Sequence, residues 1–309
     1  MDNNKQKVLV LGSEGLVGNS IKRSKSLNNK YNIHYSNRLE ANLIFLKEVE
    51  ALFNNVDPDF VINCAGKVGG IIANSTEKYD FLTQNLRINL NIFETIKNMN
   101  EVTLINLGSS AIYPKDSKVP IKESELMTGK LEQSNSSYSL AKIVGIELGR
   151  SLSNQSISCI NMIPTNLYGP SDNFNPISSH VVPGLISKIN NAKLEKRNEY
   201  MVWGSGNPLR ELLYVDDLVN ALEIVLKSSC DFDMVNVGSG IEVSIKELAL
   251  KIKDLVGFEG DIVFDTTKPD GIERKALDSS LIRSLGWKPS TTLDQGLNYT
   301  YKWFLQNKN

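Results

Sequence analysis

Histidine and cysteine are scarce in this chain. Only His34 and His180 occur among its 309 residues, which leaves a zinc centre without its usual ligands. The three cysteines, Cys64, Cys159 and Cys230, are odd in number and far apart. Cys64 and Cys159 sit in apolar, strand-like runs, so buried free thiols are expected rather than disulfides or a metal site. An excess of charge of one sign is missing as well: the formal net charge is -1. A surface balanced in this way lacks the basic field that nucleic acid or anionic lipid demands, and neither partner is expected. No apolar run approaches the ~20 residues needed to span a bilayer. The opening Met1-Asp2-Asn3-Asn4-Lys5-Gln6-Lys7 has no apolar stretch followed by a small-residue cleavage site, so a cytoplasmic location is expected. There is no internal repeat and no low-complexity tail.

What is present is alternation. With 41% apolar residues, the chain can bury a large core and is long enough for two domains, or for one domain with a lobe. Short apolar runs at 8–11, 33–35, 60–64, 102–107 and 158–163 read as strands, and 15–28, 44–55, 78–98 and 137–153 carry apolar residues at helical spacing. Repeated β-α units of this kind imply an α/β fold, a Rossmann-type doubly wound parallel sheet. After Pro164 the pattern loosens into Gly169-Pro170-Ser171-Asp172-Asn173-Phe174-Asn175-Pro176, which reads as a loop. Helices near 180–191, 215–228, 244–256 and 292–306 then mix with short strands near 199–203, 234–237 and 261–264. The expectation is a dinucleotide domain of residues 1–168 plus about 211–240, with 169–210 plus 241–309 as a smaller mixed α/β substrate-binding lobe.

Gly12-Ser13-Glu14-Gly15-Leu16-Val17-Gly18 follows the first strand and opens the first helix. Glycines at this spacing permit a tight turn and let a pyrophosphate approach a helix N-terminus. The second strand ends in Tyr35-Ser36-Asn37-Arg38. No carboxylate stands there to take a ribose 2'-hydroxyl, whereas Arg38 suits a 2'-phosphate, so NADP(H) is favoured. Glu14, a carboxylate in the glycine turn, argues the other way.

Tyr138 and Lys142 lie four residues apart in Ser137-Tyr138-Ser139-Leu140-Ala141-Lys142, which puts a phenol and an ammonium on one helical face. An ammonium beside a phenol favours the phenolate, and the pair is expected to act as an acid/base near neutral pH. The fourth strand ends in Gly108-Ser109-Ser110-Ala111, where Ser109 is placed to bond the oxygen that Tyr138 protonates. Tyr and Lys at this spacing also arise by chance on solvated helices, so the set gains its meaning from the glycine turn and the strand-end serine.

With these strings the chain resembles the GDP-L-fucose synthase family of extended short-chain dehydrogenases, the GDP-4-keto-6-deoxymannose epimerase-reductases, over nearly its whole length. The resemblance rests further on Gly66-Lys67-Val68-Gly69-Gly70-Ile71, Pro164-Thr165-Asn166-Leu167-Tyr168-Gly169-Pro170 and Asp172-Asn173-Phe174. It continues in Ser179-His180-Val181, Val202-Trp203-Gly204-Ser205-Gly206, Arg210-Glu211, Lys268-Pro269-Asp270-Gly271 and Arg274-Lys275. It implies Ser109, Tyr138, Lys142 and His180 as the catalytic set, with Tyr138 donating the proton as hydride passes from NADPH to a C4 ketone. It implies cofactor contacts at Gly12, Gly15, Leu16, Val17, Gly18, Arg38, Ala65, Lys67, Leu107, Pro164 and Leu167, shared with Tyr138, Lys142 and His180. A GDP-linked 4-keto sugar is implied along Ser109, Asn166, Lys188, Trp203, Arg210 and Lys275, and a homodimer is implied through helices 78–98 and 137–153.

One position departs from the family. Fucose synthases carry a cysteine two residues after the serine, which works with a histidine matched here by His180 to invert the carbons beside the ketone. Here that position is Ala111, and a methyl group can neither take nor return a proton. The acidic pair of nucleotide-sugar 4,6-dehydratases is also absent from Ser109-Ser110-Ala111. The first reading is therefore a C4 reductase of a GDP-4-keto sugar, a 6-deoxyhexose or heptose of the manno series. The second is a full epimerase-reductase in which Ser110 or a water replaces the thiol. A catalytically silent sugar-nucleotide binder would not need the Ser-Tyr-Lys set, and a 4-epimerase holding NAD is opposed by the missing acid after the second strand.

Overall fold

The computed structural model describes residues 5–154, 156–228, 232–268 and 270–307. Cys230 and Pro269 lie outside the described residues, as does the segment Met1 to Asn4. The first half runs β1 (Lys7–Leu11), α1 (Leu16–Arg23), α2 (Lys25–Lys30), β2 (Asn32–Ser36), α3 (Leu46–Val56), β3 (Phe60–Asn63), α4 (Ile71–Thr76), α5 (Lys78–Ile96), β4 (Val102–Leu107), α6 (Ser136–Leu152) and β5 (Ile157–Pro164). There follow β6 (Asn166–Tyr168), α7 (Val181–Leu194), β7 (Glu199–Trp203), β8 (Leu209–Tyr214), α8 (Val215–Lys227), β9 (Met234–Val237) and β10 (Glu242–Ser244). The chain ends in α9 (Ile245–Val256), β11 (Asp261–Asp265), β12 (Arg274–Lys275), α10 (Ser280–Ser284) and α11 (Leu293–Asn307).

Six strands form one parallel sheet in the order β2-β1-β3-β4-β5-β9. Alternate residues of each strand face opposite ways, yet both sets are buried. Val8, Val10, Ile62, Ile105 and Met162 pack with Ile21, Leu218 and Leu222 on one side. Leu9, Leu11, Val61, Leu104 and Cys159 pack with Leu52, Phe53, Ile92 and Phe93 on the other. Burial on both faces explains the unbroken apolar runs of these strands. The strand order reverses between β1 and β3, which opens a crevice at the carboxyl ends of the strands. A second cluster holds α7, α9 and α11 around Val202, Leu212, Tyr214 and Val243. There β8 pairs with β6, β10 and β12, and β7 pairs with β11. Among the described residues no helix is long and apolar enough to cross a membrane, and no cluster of metal-binding side chains occurs.

The expected helix over 15–28 is two helices. The Ser24 side chain accepts the Leu27 N–H to start α2, and Asn28 Nδ2 donates back to the carbonyls of Ile21, Lys22 and Ser24 around the junction of α1 and α2. Cys159 is buried and Cys64 half-buried at the end of β3, and both are free thiols. The elements α4, β6, β8, β10, β12 and α10 were not expected from the sequence pattern.

A polar ladder crosses the sheet. Asn63, Asn106 and Asn161 are register partners on β3, β4 and β5. Asn63 Nδ2 donates to Asn106 Oδ1 at 3.0 Å, Asn106 Nδ2 to Asn161 Oδ1 at 3.0 Å, and Asn161 Nδ2 to the Asp233 carbonyl at 3.0 Å. The first oxygen, Asn63 Oδ1, accepts the Ala65 N–H and so fixes the turn that leaves β3. Asn106→Ala is expected to lower the unfolding free energy by roughly 2–4 kcal/mol, because it strands a buried donor on Asn63 and a buried acceptor on Asn161. The urea midpoint measures this; a loss under about 1 kcal/mol would rule out a cooperative ladder.

Candidate active site

The crevice is built from the turns at the ends of β1, β3, β4 and β5. Gly12 has φ +76, and a Cβ there would lie 2.8 Å from the Ala65 Cα, so the turns after β1 and β3 meet backbone to backbone. A Cβ on Gly18 would lie 2.5 Å from the Ser13 Cα. Gly15 caps α1 with no side chain bonded to the helix end, which leaves the first-turn N–H groups of Leu16 and Val17 open to an anion. The buried Ser13 hydroxyl has no hydrogen-bond partner. An open helix N-terminus, a cradle without Cβ atoms and an orphaned hydroxyl together fit a dinucleotide pyrophosphate. The turn abuts the end of β2, where Ser13 N–H donates to the Ser36 carbonyl at 3.1 Å and Arg38 stands exposed two residues on.

Ser109, Tyr138 and Lys142, expected from the sequence to be catalytic, come together from the end of β4 and from α6. Lys142 is 6% exposed; its Nζ donates to the Leu107 carbonyl at 2.8 Å and stands 5.9 Å from the Tyr138 ring centre. The expected phenolate is not what this environment favours. Burial pushes the Tyr138 phenol up to about 12, the Ser109 side chain pulling the other way. Burial likewise lowers Lys142 to about 8, with Cys64 opposing. Helical spacing brought the two groups together but said nothing of depth, and desolvation outweighs the ammonium's attraction. Tyr138 therefore stands as a neutral acid, its ring edge-on to Phe81 at 6.4 Å.

Ser109 Oγ accepts the Ala111 N–H at 3.2 Å and caps the short 3-10 turn Ser110–Ile112. Ser139, the neighbour of Tyr138, donates Oγ–H to the Ala111 carbonyl at 2.9 Å. The turn bearing Ser109 is thereby docked onto the helix bearing Tyr138, a role that pattern reading missed because Ser139 faces away from Tyr138. Asn85 was missed as well: its amide brackets Lys67, accepting the Lys67 N–H at 2.8 Å and donating to the Lys67 carbonyl at 3.0 Å. The Lys67 ammonium is engaged by Glu77 at 2.6 Å and by the Phe81 ring. A Cβ on Gly66 would lie 3.6 Å from Lys142 Nζ, so this loop borders the lysine.

On the other side, Pro164 ends β5 while Asn166 and Leu167 lie in β6. Asn166 Nδ2 and Thr165 Oγ1 both donate to the Glu211 carbonyl at 3.1 Å. The Glu211 carboxylate, fully buried, accepts the N–H groups of Gly240 at 2.6 Å and Leu277 at 2.9 Å. Its neighbour Arg210 is in parallel register with Lys275. Burial holds the Arg210 guanidinium below its ordinary range, with Asp270 opposing. Burial, then repulsion from Arg210, lowers Lys275 to about 8, with Glu132 opposing. Two cations are thus set side by side in a partly dry site, which calls for an anion carrying more than one charge.

Trp203 is 62% exposed rather than part of the lobe core, with Lys268 Nζ 5.7 Å from its ring centre. Lys188, half-buried on α7, is held below the usual lysine range by burial. His180 is the N-cap of α7, and desolvation holds its imidazole below the ordinary histidine value. The loops on the two sides are laced together, since Gly70 N–H donates to the Ser178 carbonyl at 2.8 Å. A Cβ on Gly70 would lie 2.3 Å from the Ser179 carbonyl oxygen, so this approach requires glycine.

A parallel doubly wound sheet, a glycine turn after its first strand and a Ser-Tyr-Lys set below the crevice define a dinucleotide-dependent enzyme of the short-chain dehydrogenase type. The chain belongs to the NAD dependent epimerase/dehydratase family, whose sequence model matches residues 8–238, and within it to the GDP-L-fucose synthase-like branch of oxidoreductases. It is 46% identical to the putative GDP-L-fucose synthase 2 of Arabidopsis thaliana, over 97% of this chain and 92% of that relative. It is 40% identical to the GDP-L-fucose synthase of Escherichia coli, over 98% of each chain. A solved structure of a GDP-mannoheptose C4 reductase from Campylobacter jejuni with NADP bound superposes with a TM-score of 0.84 at 29% identity, covering 97% of this chain and 98% of that one.

A lysine whose folded pKa is depressed opposes folding wherever it must carry its charge. The penalty is complete below about 8 and fades as pH rises towards 10.5, the ordinary lysine value. Lys275→Met is therefore expected to raise the stability of the ligand-free protein at pH 7 by about 1–3 kcal/mol. The gain should shrink between pH 8 and 10.5. Urea titrations across that range measure it, and a variant no more stable at pH 7 would contradict the uncompensated charge.

Proposed function

We propose that the protein is an NADPH-dependent C4 reductase of a GDP-linked 4-keto sugar, a 6-deoxyhexose or heptose of the manno series. One arrangement carries this reading: Tyr138 and Lys142 of α6 meet the turn that bears Ser109, while position 111, two residues on, offers only a buried methyl group. The cofactor, NADPH, supplies the hydride when bound, held by the glycine turn, Arg38 and Lys142. As hydride reaches C4, the carbonyl oxygen gains charge; Tyr138 gives it a proton and Ser109 gives it a hydrogen bond. The product is the secondary alcohol, and Lys142 stabilises the phenolate left behind. Arg210 and Lys275 meet the diphosphate, the guanidinium through its two-pronged donor face. Asn166, Trp203 and Lys188 lie along the rest of the nucleotide sugar, and His180 borders the nicotinamide.

Inversion at C3 and C5 needs groups that remove a proton from one face and return it to the other. Ala111 supplies none, so stereochemical inversion is done elsewhere or not at all. The second reading, a full epimerase-reductase, is favoured by the names of the relatives in Arabidopsis thaliana and Escherichia coli. We place the enzyme in the cytoplasm as a homodimer joined through α5 and α6, whose Tyr79, Leu90 and Leu140 are exposed. Residues 1–168 with about 211–240 act as the dinucleotide domain, and 169–210 with 241–309 as the sugar-nucleotide lobe.

Turnover of GDP-4-keto-6-deoxymannose with NADPH in D2O, followed by NMR of the product, separates the two readings. A pure C4 reductase leaves C3 and C5 free of deuterium, whereas deuterium there with an L-configured product would make the second reading correct. Tyr138→Phe is expected to lower kcat by about 10²- to 10⁴-fold with little change in NADPH affinity. Undiminished turnover would remove Tyr138 from its role. Ala111→Cys is expected to keep reduction and to admit deuterium at C3 or C5.

A further inference from the structure

The 2'-phosphate that separates NADPH from NADH would meet the turn after β2, and that turn adjoins a carboxylate, Glu14. In folds of this kind an acid at the end of the second strand takes the ribose 2'-hydroxyl and disfavours a phosphate; here Glu14 brings a carboxylate to the same corner from the glycine turn. Glu14 is not free to do either. Lys22 Nζ, one helical face along α1, lies 2.5 Å from Glu14 Oε1. The same ammonium stands 5.7 Å from the centre of the Tyr35 ring on β2, and the Tyr35 hydroxyl is itself fixed by Asn28 Oδ1 at 2.9 Å. Lys22 above all holds the Glu14 carboxylate below the usual range, the nearby Asn37 side chain adding to it. Asn37 Oδ1 accepts the N–H groups of Leu39 and Glu40 and so shapes the turn that carries Arg38. The other carboxylate of this turn, Glu40, lies 2.7 Å from His34 Nε2. The main chain beneath is fixed as well, Asn19 Nδ2 donating to the Glu14 carbonyl at 2.7 Å.

Lys22, Glu14, Asn37 and Arg38 thus form one contiguous surface in which each carboxylate has a partner and Arg38 is left exposed. Without Lys22, the two carboxylates would outnumber the Arg38 cation. We propose that Lys22 is a selectivity residue for the phosphorylated dinucleotide: by tethering and neutralising Glu14, it lets a corner that holds a carboxylate admit a 2'-phosphate beside Arg38. The inference rests on the NADPH reading above and deepens it, since it assigns the choice of cofactor to an ion pair inside the protein as well as to the arginine that meets the phosphate. Lys22 orients and neutralises Glu14, so it acts through another residue as well as through its own charge.

The test is direct binding, measured by reduced-cofactor fluorescence with NADPH and with NADH at fixed ionic strength. Lys22→Met keeps the apolar stem on Tyr35 and removes the charge. It is expected to weaken NADPH binding at least tenfold while leaving NADH unchanged or tighter. Adding Glu14→Gln to that variant is expected to restore most of the NADPH affinity, which a merely structural role for Lys22 would not do. Equal weakening of both cofactors, no change in either, or no recovery in the double variant would overturn the proposal. Arg38→Ala is the control for the underlying reading. If NADPH binding ignores that change, the turn is not the phosphate site, and the assignment of Lys22 falls with it. If NADPH binding responds to Arg38→Ala but not to Lys22→Met, only the assignment of Lys22 fails.

Discussion

The carboxylate of Glu211 is fully withdrawn from water and bonded to the N–H groups of Gly240 and Leu277, while its carbonyl receives Thr165 and Asn166. Burial raises its pKa, and the backbone donors of Leu277 and Gly240 oppose that rise. A buried carboxylate is tolerated only where such donors replace the lost water, so the segments that supply them are held to it. Those segments are the junction of β5 and β6, the turn after β9 and the chain beyond β12. The same strand presents Arg210 one residue earlier. The anion site and the end of the catalytic sheet are therefore positioned from a common point, and the space around it is full: a Cβ on Gly238 would lie 2.4 Å from a Glu211 oxygen.

Charge around the crevice follows a consistent pattern. Lys142, Lys275 and Arg210 are all held below their ordinary values by burial, and among the described residues no carboxylate forms an ion pair with any of them. Such cations oppose folding of the empty protein and strengthen every interaction with an anionic ligand, because both effects have the same origin in desolvation. Tyr138 completes the pattern from the other sign, since the burial that opposes charge on the lysines raises the phenol and makes phenolate costly.

The parallel sheet was readable in the sequence because burial on both faces writes itself as unbroken apolar runs, Val8 to Leu11 and Val102 to Leu107 among them. The glycine turn was readable because only glycine serves where Gly12 meets the turn after β3. The short strands β6, β10 and β12 were not: each is two or three residues long and is defined by a partner far along the chain. The burial of Glu211 was not legible, because its donors come from positions 240 and 277. The protonation of Tyr138 was misjudged for a related reason, since spacing on a helix gives direction and only the folded chain gives depth. Glu14 was seen as a difficulty, and its partner Lys22, eight residues on, was not connected to it.

The asparagine ladder has a meaning for the history of such a chain. An amide is the one short side chain that gives and receives within the same plane, so each rung hands a bond to the next and none can be exchanged for a hydrocarbon alone. Any single replacement leaves its neighbours half-bonded in the core, whereas exchanging the whole row together would remove both ends of every bond at once. For a lineage that moves by one codon at a time, Asn63, Asn106 and Asn161 are a single inherited character, separated from an apolar alternative by a valley of unstable intermediates.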